Sequence, residues 1–501
     1  DRLNDSVSLV YRRLADSVYE GDNYTPVWSE KERWLPLADS LLQFIDSSKY
    51  YGLFPSDYHY NALAFIRRII GEDTMARKNA AIWTRADLML TDAFFSLVKD
   101  LKQGRLGFDS VTLRKDTVLA DTIFLQNLAK VRQTRVVTAV LDSLEPHHPG
   151  YDSLKTYLRD FLATAHFRNL TWLDYPYEKK DSAAFSTALI KRLLEVGYLD
   201  SSMTQPDTAT LARAIRGYQT TNKLKVTGKV TSEMVAMMDN SDWEKFKRIA
   251  INMDRYKLLP DTMPKTYVWV DLPAFMLEVV DSDTVVLNSK VIVGAPKTRT
   301  PLLTSEISNF VTYPQWTVPM SIIMKEMLPA IKRDIGYLAK ENLMVVDDND
   351  SVRDPSKINW RRLNRENFPY EIKQRQGDDN SLGVMKFNFK NKYDVYLHDT
   401  NVRWMFDKSF RALSHGCVRV KEWRKLSAFL IRKDTMRYHP DTLKAWIQRQ
   451  EKHTVWGFAK VPIFIRYFTC EGMKGKIVFH DDIYGEDKAL RNRFFANQPI
   501  L

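Results

Sequence analysis

Ser414-His415-Gly416-Cys417-Val418-Arg419-Val420 reads as a strand, a glycine break, and then alternation. Successive side chains on a strand point to opposite faces, so Val418 and Val420 face a core while Cys417 and Arg419 share the other side. One short stretch thus presents a thiol and a guanidinium to the same cleft. Cys417 is one of only two cysteines in 501 residues, which makes its placement beside a histidine and a glycine informative.

A thiol is a weak nucleophile until deprotonated, and a neighbouring imidazole can take its proton or, once charged, lower its pKa. Two histidines compete for that role. His398 stands nineteen positions upstream in Tyr396-Leu397-His398-Asp399-Thr400, at the end of an alternating, aromatic run from Tyr393 to Leu397 that reads as a second strand able to lie beside the first. His415, two residues before the cysteine, can point to the same face. Gly416 lets the backbone approach a substrate closely, so the amides of Gly416 and Cys417 are candidates to cradle an oxyanion. Arg419 is suited to a carboxylate. Cys470 sits in the apolar run Val461-Pro462-Ile463-Phe464-Ile465-Arg466-Tyr467-Phe468-Thr469 and reads as a small buried hydrophobe.

Taken together, Tyr396-Leu397-His398-Asp399-Thr400 and Arg411-Ala412-Leu413-Ser414-His415-Gly416-Cys417-Val418-Arg419-Val420 resemble the signature of the L,D-transpeptidases, cysteine enzymes that crosslink bacterial peptidoglycan. Tyr313-Pro314-Gln315-Trp316-Thr317-Val318-Pro319 also fits that family, with Tyr313 and Trp316 as candidates to line the cleft and a core position as the plain alternative for Trp316. Gly52-Leu53-Phe54-Pro55-Ser56-Asp57-Tyr58 and Leu90-Thr91-Asp92-Ala93-Phe94-Phe95 are similar to the scaffold domain of its large Gram-negative members. The fold this resemblance implies is α+β: a mixed-sheet catalytic domain, a helical scaffold domain and a three-helix peptidoglycan-binding domain.

The pattern along the chain divides accordingly into residues 1–176, 177–240 and 241–501. Up to about 176 the periodicity is helical, as in Leu88 to Leu101 closing at Gly104. His147-His148, between two prolines and without a spaced ligand set, reads as a loop rather than a metal site. In the second segment helices run through Leu189 and Leu193 and around Leu211 to Gln219, and Thr231 is placed to cap a last one. Tyr218 and Thr227-Gly228 stand where phenylalanine and aspartate-glycine are usual in peptidoglycan-binding modules; a helical spacer is the plain alternative. From Tyr267 the pattern alternates as a sheet. Between about 321 and 382 alternation stops, giving a helical piece near Met324 to Ala339 and a charged segment, an insertion expected to act as a lid or to be a surface excursion. Strands Ile463 to Phe468 and Lys476 to Phe479 are expected to close the sheet, and His480-Asp481-Asp482 lacks the spacing of a zinc site.

Composition narrows the classes without choosing one. With 44% hydrophobic and 12% aromatic residues the chain can build several cores and is no disordered tail. Its net charge of +12 suits nucleic acid, anionic membrane or a carboxylate-rich wall polymer, but the basic residues are scattered and no nucleic-acid motif is present, so nucleic acid is not expected as a partner. No stretch reaches the roughly 18 apolar residues of a membrane-spanning helix. The chain starts at Asp1 without a signal pattern, and a signal peptide or membrane anchor upstream is what the resemblance implies.

The resemblance also implies a mechanism: acyl transfer through a thioester on Cys417, with His398 as base, Gly416 in the oxyanion site and Asp399, by side chain or main chain, orienting His398. Arg419 would hold a substrate carboxylate, and Ser414 and His415 would shape the acyl pocket. Peptidoglycan stem peptides and glycan are the implied partners, carbapenem β-lactams the implied inhibitors, the periplasm or cell envelope the implied location, and no cofactor or metal is called for. An L,D-carboxypeptidase, with water as acceptor, and a non-catalytic wall-binding protein are the alternatives. A zinc-dependent wall hydrolase is a further rival.

Overall fold

The computed structural model describes residues 8–107, 111–113, 118–200, 202–434 and 436–500. These fall into two compact units. One comprises the described part of Asp1–Thr262 with Thr469–Phe479 and Glu486–Leu501; the other comprises Met263–Phe468 with His480–Gly485. The fold is α+β, with helices dominating the first unit and a nine-stranded mixed sheet the second.

In the helical unit the longest element is Ala80–Lys102, started by Asn79, whose side chain accepts a hydrogen bond from the Ala81 amide. Its residues Leu90, Phe94, Leu97, Val98 and Leu101 are spaced along one face and are fully buried in a core shared with Ala15, Trp28, Leu41 and Tyr58. A second apolar cluster gathers Phe185, Leu189, Leu193, Ile215, Tyr218 and Met234 from the helices Ser182–Glu195, Thr208–Thr221 and Ser232–Met238. Thr231 caps the last of these by accepting from the Met234 amide at 3.2 Å. Gln219 holds the Thr227-Gly228 turn, its Oε1 accepting from both amides at 2.9 and 3.0 Å. His148 is a cap as well: its Nδ1 accepts from the Gly150 amide at 3.0 Å at the start of Pro149–Thr164.

In the sheet unit the strand order is 412–414, 284–294, 418–420, 397–398, 385–389, 303–312, 454–466, 266–271, 276–281, and the last strand also pairs with 284–294. That additional pairing closes eight of the strands into a ring. The alternating residues Val268, Val270, Ile307, Phe310, Phe387, Leu397, Val418, Val420 and Ile463 fill its core. At the centre, Leu397–His398 lies parallel to Val418–Val420, with Leu397 opposite Val418 and His398 opposite Arg419.

Several elements depart from the sequence expectation. The 393–397 run is strand only at Leu397–His398, because the Asn391 carboxamide oxygen accepts from the Tyr393 and Val395 amides and curls the chain into a turn. The 321–382 insertion contains strands after all: Leu343–Val346, Val352–Arg353 and Glu371–Gln374 join Trp316–Thr317 in a separate four-stranded sheet. It has its own core of Val318, Ile323, Leu328, Ile331, Val345, Trp360 and Ile372. Lys476–Phe479 pairs with Cys470–Met473 in the helical unit rather than closing the large sheet. Helix Asp242–Tyr256, which the 241–501 boundary assigns to the sheet domain, also packs within the helical unit.

Gly383 ties the turn before the Met385–Phe389 strand to the buried Asp399. It takes the left-handed conformation at φ 59°, and a Cβ there would lie 2.4 Å from Asp399 Oδ2. Gly383→Ala is therefore expected to destabilise the sheet unit by about 2 kcal/mol or more, combining backbone strain with a clash against a buried carboxylate. Gly485→Ala, at φ 70° with nothing within 4 Å, serves as the control and should lose only about 1 kcal/mol. Urea unfolding followed by tryptophan fluorescence measures both.

Candidate functional site

A cleft of ≈ 430 Å³ opens in the sheet unit along the line of Tyr396, His398, Cys417 and Arg419. Its opposite wall comes from the inserted segment and the residues leading into it, among them Trp316, Glu326, Met327, Tyr337 and Gln374. The half-buried thiol of Cys417 donates towards the Asp394 carbonyl, 3.9 Å away. Gly416, at φ 122°, makes the sharp turn that precedes it. Strand register explains the rest of the gathering: paired residues on neighbouring strands send their side chains to one face, so the His398–Arg419 pairing puts both on the face that Cys417 shares.

The turn carrying the thiol is braced from within. Ser414 is buried; its hydroxyl donates to the Cys417 carbonyl at 2.6 Å and accepts from the Gly416 amide at 3.2 Å. The Thr300 hydroxyl donates to the Gly416 carbonyl at 2.8 Å, and Thr298 does the same to Ser414 at 2.8 Å. The Gly416 amide, expected to face an oxyanion, is thus already engaged by Ser414. His415 is exposed and meets Glu326 of the inserted segment at 2.7 Å rather than the thiol.

The open choice at Asp399 falls to its main chain, and the expectation for Tyr313 is corrected. The Asp399 carboxylate is fully buried but turns to Arg403, with Nε–Oδ1 at 3.2 Å, and to the Val384 amide at 3.1 Å. Only its main chain, with that of Leu382, acts on His398, drawing the imidazole pKa up. Tyr313 lies in the core of the large sheet and gives its hydroxyl to Asp378 at 2.8 Å, so it does not line the cleft. Trp316 does line it, half-buried, while packing against the core of the inserted segment.

The electrostatics are those of an uncharged pair. Burial pushes the Cys417 thiol above its ordinary value, opposed by hydrogen bonds from Tyr396 and by the positive charges of Lys386 and Arg419. His398 is brought down to about 3, first by burial and then by Arg419, with Lys386 adding to the effect. Near neutral pH the site therefore holds a thiol beside a neutral imidazole, not a preformed thiolate–imidazolium pair. The buried Nε of Arg419 lacks a hydrogen-bond partner in the site. A guanidinium in a cleft with an unused donor is suited to a carboxylate supplied by a ligand.

Sequence reading missed Lys386 and the part played by Tyr396. The Lys386 ammonium stands 4.0 Å from the centroid of the Tyr396 ring. Alternation along Met385–Phe389 was the available signal, since it sets Lys386 on the face opposite the buried Met385 and Phe387.

Comparison with known proteins places this arrangement. Residues 265–437 match the family model described as the L,D-transpeptidase catalytic domain. The part of the chain that holds the cleft is thus similar to L,D-transpeptidase catalytic domains. Residues 13–158 match a scaffold domain, and residues 186–238 a "putative peptidoglycan binding domain". A Haemophilus influenzae protein named "putative L,D-transpeptidase" is 33% identical over 252 residues, 49% of this chain and 49% of that protein. The chain thus spans about half the length of that curated relative. Among solved structures, an L,D-transpeptidase from Stackebrandtia nassauensis is similar at 11% identity, covering 60% of this chain and 96% of that one, with a TM-score of 0.16, too low to bear on the fold.

Among the described residues no three or more His, Cys, Asp or Glu side chains gather as a metal site, and no helix is long and apolar enough to cross a membrane. The raised thiol has a measurable signature. Alkylation of Cys417 by iodoacetamide, followed by intact mass, should rise about tenfold per pH unit through neutrality and level off only above the ordinary thiol value of about 8.5. A plateau already reached between about pH 5 and 7 would instead mark a preformed ion pair.

Proposed function

We propose that the cleft is the active site of a peptidoglycan L,D-transpeptidase of the cell envelope that joins diaminopimelate residues of neighbouring stem peptides. The observation that carries this reading is the half-buried Cys417 thiol sharing one face of a parallel strand pair with a neutral His398 and with Arg419, whose Nε has no partner, at a cleft able to admit a peptide. The family match of residues 265–437 and the name of the Haemophilus influenzae relative support it. The peptidoglycan-binding match at 186–238 supports the wall polymer as partner and the envelope as location.

In this reading Sγ of Cys417 attacks the carbonyl of the peptide bond between the diamino acid and the terminal D-alanine of a tetrapeptide stem. The S–C bond forms as the thiol proton passes to His398, and the carbonyl electrons move onto oxygen. With the Gly416 amide held by Ser414, the Cys417 amide is the main-chain donor of this turn left for the oxyanion; one such donor typically contributes about 3 kcal/mol to lowering the barrier. The C–N bond then breaks, His398 returns its proton to the departing amine, and the acyl group remains as a thioester. An amine from the side chain of a second stem attacks that thioester and releases the thiol. Arg419 holds a carboxylate of the donor stem, and Trp316 forms part of the wall. His398 starts neutral near pH 7 and so has a site free for the proton, while the burial that holds its pKa at about 3 makes it a weak base.

Water as acceptor makes the same intermediate an L,D-carboxypeptidase, and loss of thiol reactivity leaves a wall-binding protein. Purified protein incubated with tetrapeptide muropeptides should give a Cys417 thioester by intact mass and then crosslinked dimers. Cys417→Ala should abolish both, and Arg419→Ala should weaken donor binding by about tenfold to a hundredfold. Trimmed stems without dimers would identify the hydrolase. Correctly folded protein that forms no adduct, with stems or with a carbapenem, would sink the enzyme reading. Activity unchanged by a chelator separates it from zinc hydrolases.

A further inference from the structure

Across three neighbouring strands the register lines up Lys386, His398 and Arg419 in a single row. Lys386 is the antiparallel partner of His398, and His398 the parallel partner of Arg419. The imidazole thus stands between two cations on one face of the sheet. Tyr396 and Cys417 occupy the adjoining row, their strands held together by the Val418 amide donating to the Tyr396 carbonyl at 3.2 Å.

The two cations are placed differently. Arg419 lines the cleft, where a ligand carboxylate would neutralise it. Lys386 does not line the cleft; it is half-buried, its ammonium 4.0 Å from the centroid of the Tyr396 ring, and among the described residues no carboxylate ion-pairs with it. A half-buried ammonium without an ion pair is costly to keep, and of the carboxylates only Asp394 adds to its attraction. The negative charge nearest to it that the chemistry creates is on the sulfur of Cys417, with Tyr396 between them, and burial of Lys386 is offset by its attraction to Cys417.

We propose that Lys386 is a positioning residue for the thiol chemistry: held over the ring of Tyr396, its charge strengthens that residue's hydroxyl as a donor to sulfur and stabilises the thiolate left when the proton passes to His398. The proposal rests on the reading of Cys417 as the nucleophile. No atom is transferred to or from Lys386; the proton moves from Sγ to the imidazole, and the ammonium stays protonated throughout. Its contribution persists with substrate bound, when the Arg419 charge is taken up by a carboxylate.

Other charged or titratable groups also face the thiol. Asp394 and Tyr393 precede it on the neighbouring segment, and His415 shares its own loop; Lys325, Glu326, Tyr337 and Glu341 belong to the opposite wall of the cleft. None of these lies over the Tyr396 ring, but Asp394 acts on both Lys386 and Tyr396, so the Lys386→Met comparison is repeated in an Asp394→Asn background, where the shift should persist.

The test is the pH dependence of iodoacetamide labelling at Cys417, read by intact mass, which needs no turnover. Lys386→Met should move the half-point up by about one pH unit, slowing labelling about tenfold at neutral pH with the high-pH plateau unchanged. Lys386→Arg, which keeps the charge, should stay within about threefold of wild type. In a Tyr396→Phe background the Lys386→Met effect should shrink to about threefold or less, as a coupling through that ring requires. A Lys386→Met profile that superimposes on wild type, or a shift undiminished without the Tyr396 hydroxyl, overturns the proposal. Lys386→Gln removes the charge while keeping most of the stem and gives the same comparison if methionine is not accepted at the site. Should wild type form no adduct with tetrapeptide stems while the labelling shift is present, the transpeptidase reading fails and the role of Lys386 in thiol ionisation stands.

Discussion

Two residues of parallel pairing, Leu397 against Val418 and His398 against Arg419, are the constraint on which the rest of the site depends. Leu397, Val418 and Val420 are fully buried and anchor that register in the core. Because side-chain direction has a period of two, a slip of one residue would send His398 or Arg419 into that core and Val418 out of it. The chemistry-bearing face is thus specified by apolar packing on the opposite face. The same packing carries the imidazole out of water, and water loss together with two neighbouring cations keeps His398 neutral. Fold stability and protonation state have one origin here.

The arrangement around the thiol favours restraint over reactivity. A cysteine whose pKa is lifted by burial resists adventitious oxidation and alkylation. The bracing of the turn by Ser414, Thr298 and Thr300 serves the same end: every hydroxyl there is engaged with main-chain oxygen, leaving little freedom for the sulfur to wander.

Much of this was legible in the chain itself. Alternation about Val418 and Val420 was enough to set Cys417 and Arg419 on one face, and the buried character of Cys470 followed from the apolar run before it. The capping role of Thr231 was equally local. What stayed hidden was relational. Nothing in the order of residues shows that Ser414 folds back onto the Gly416 amide, or that Asp399 prefers Arg403 four residues on to His398 beside it. Lys386 is far from Cys417 in sequence and joins the site only through the antiparallel register of Met385–Phe389 with Leu397–His398. The short strands of the insertion escaped notice because a four-residue apolar run such as Leu343–Val346 carries no periodicity that separates strand from helix.

That insertion carries its own apolar core, built around Ile323, Leu328, Val345 and Trp360 and distinct from the core of the large sheet. A wall that is internally cohesive behaves as an interchangeable part. No core residue is shared between the two clusters, so the wall's fold rests on its own packing, and the His415–Glu326 contact is one place where it meets the loop that carries Cys417. Substitutions in that core are therefore expected to disturb this wall of the cleft before they disturb the register of Leu397–His398 with Val418–Val420.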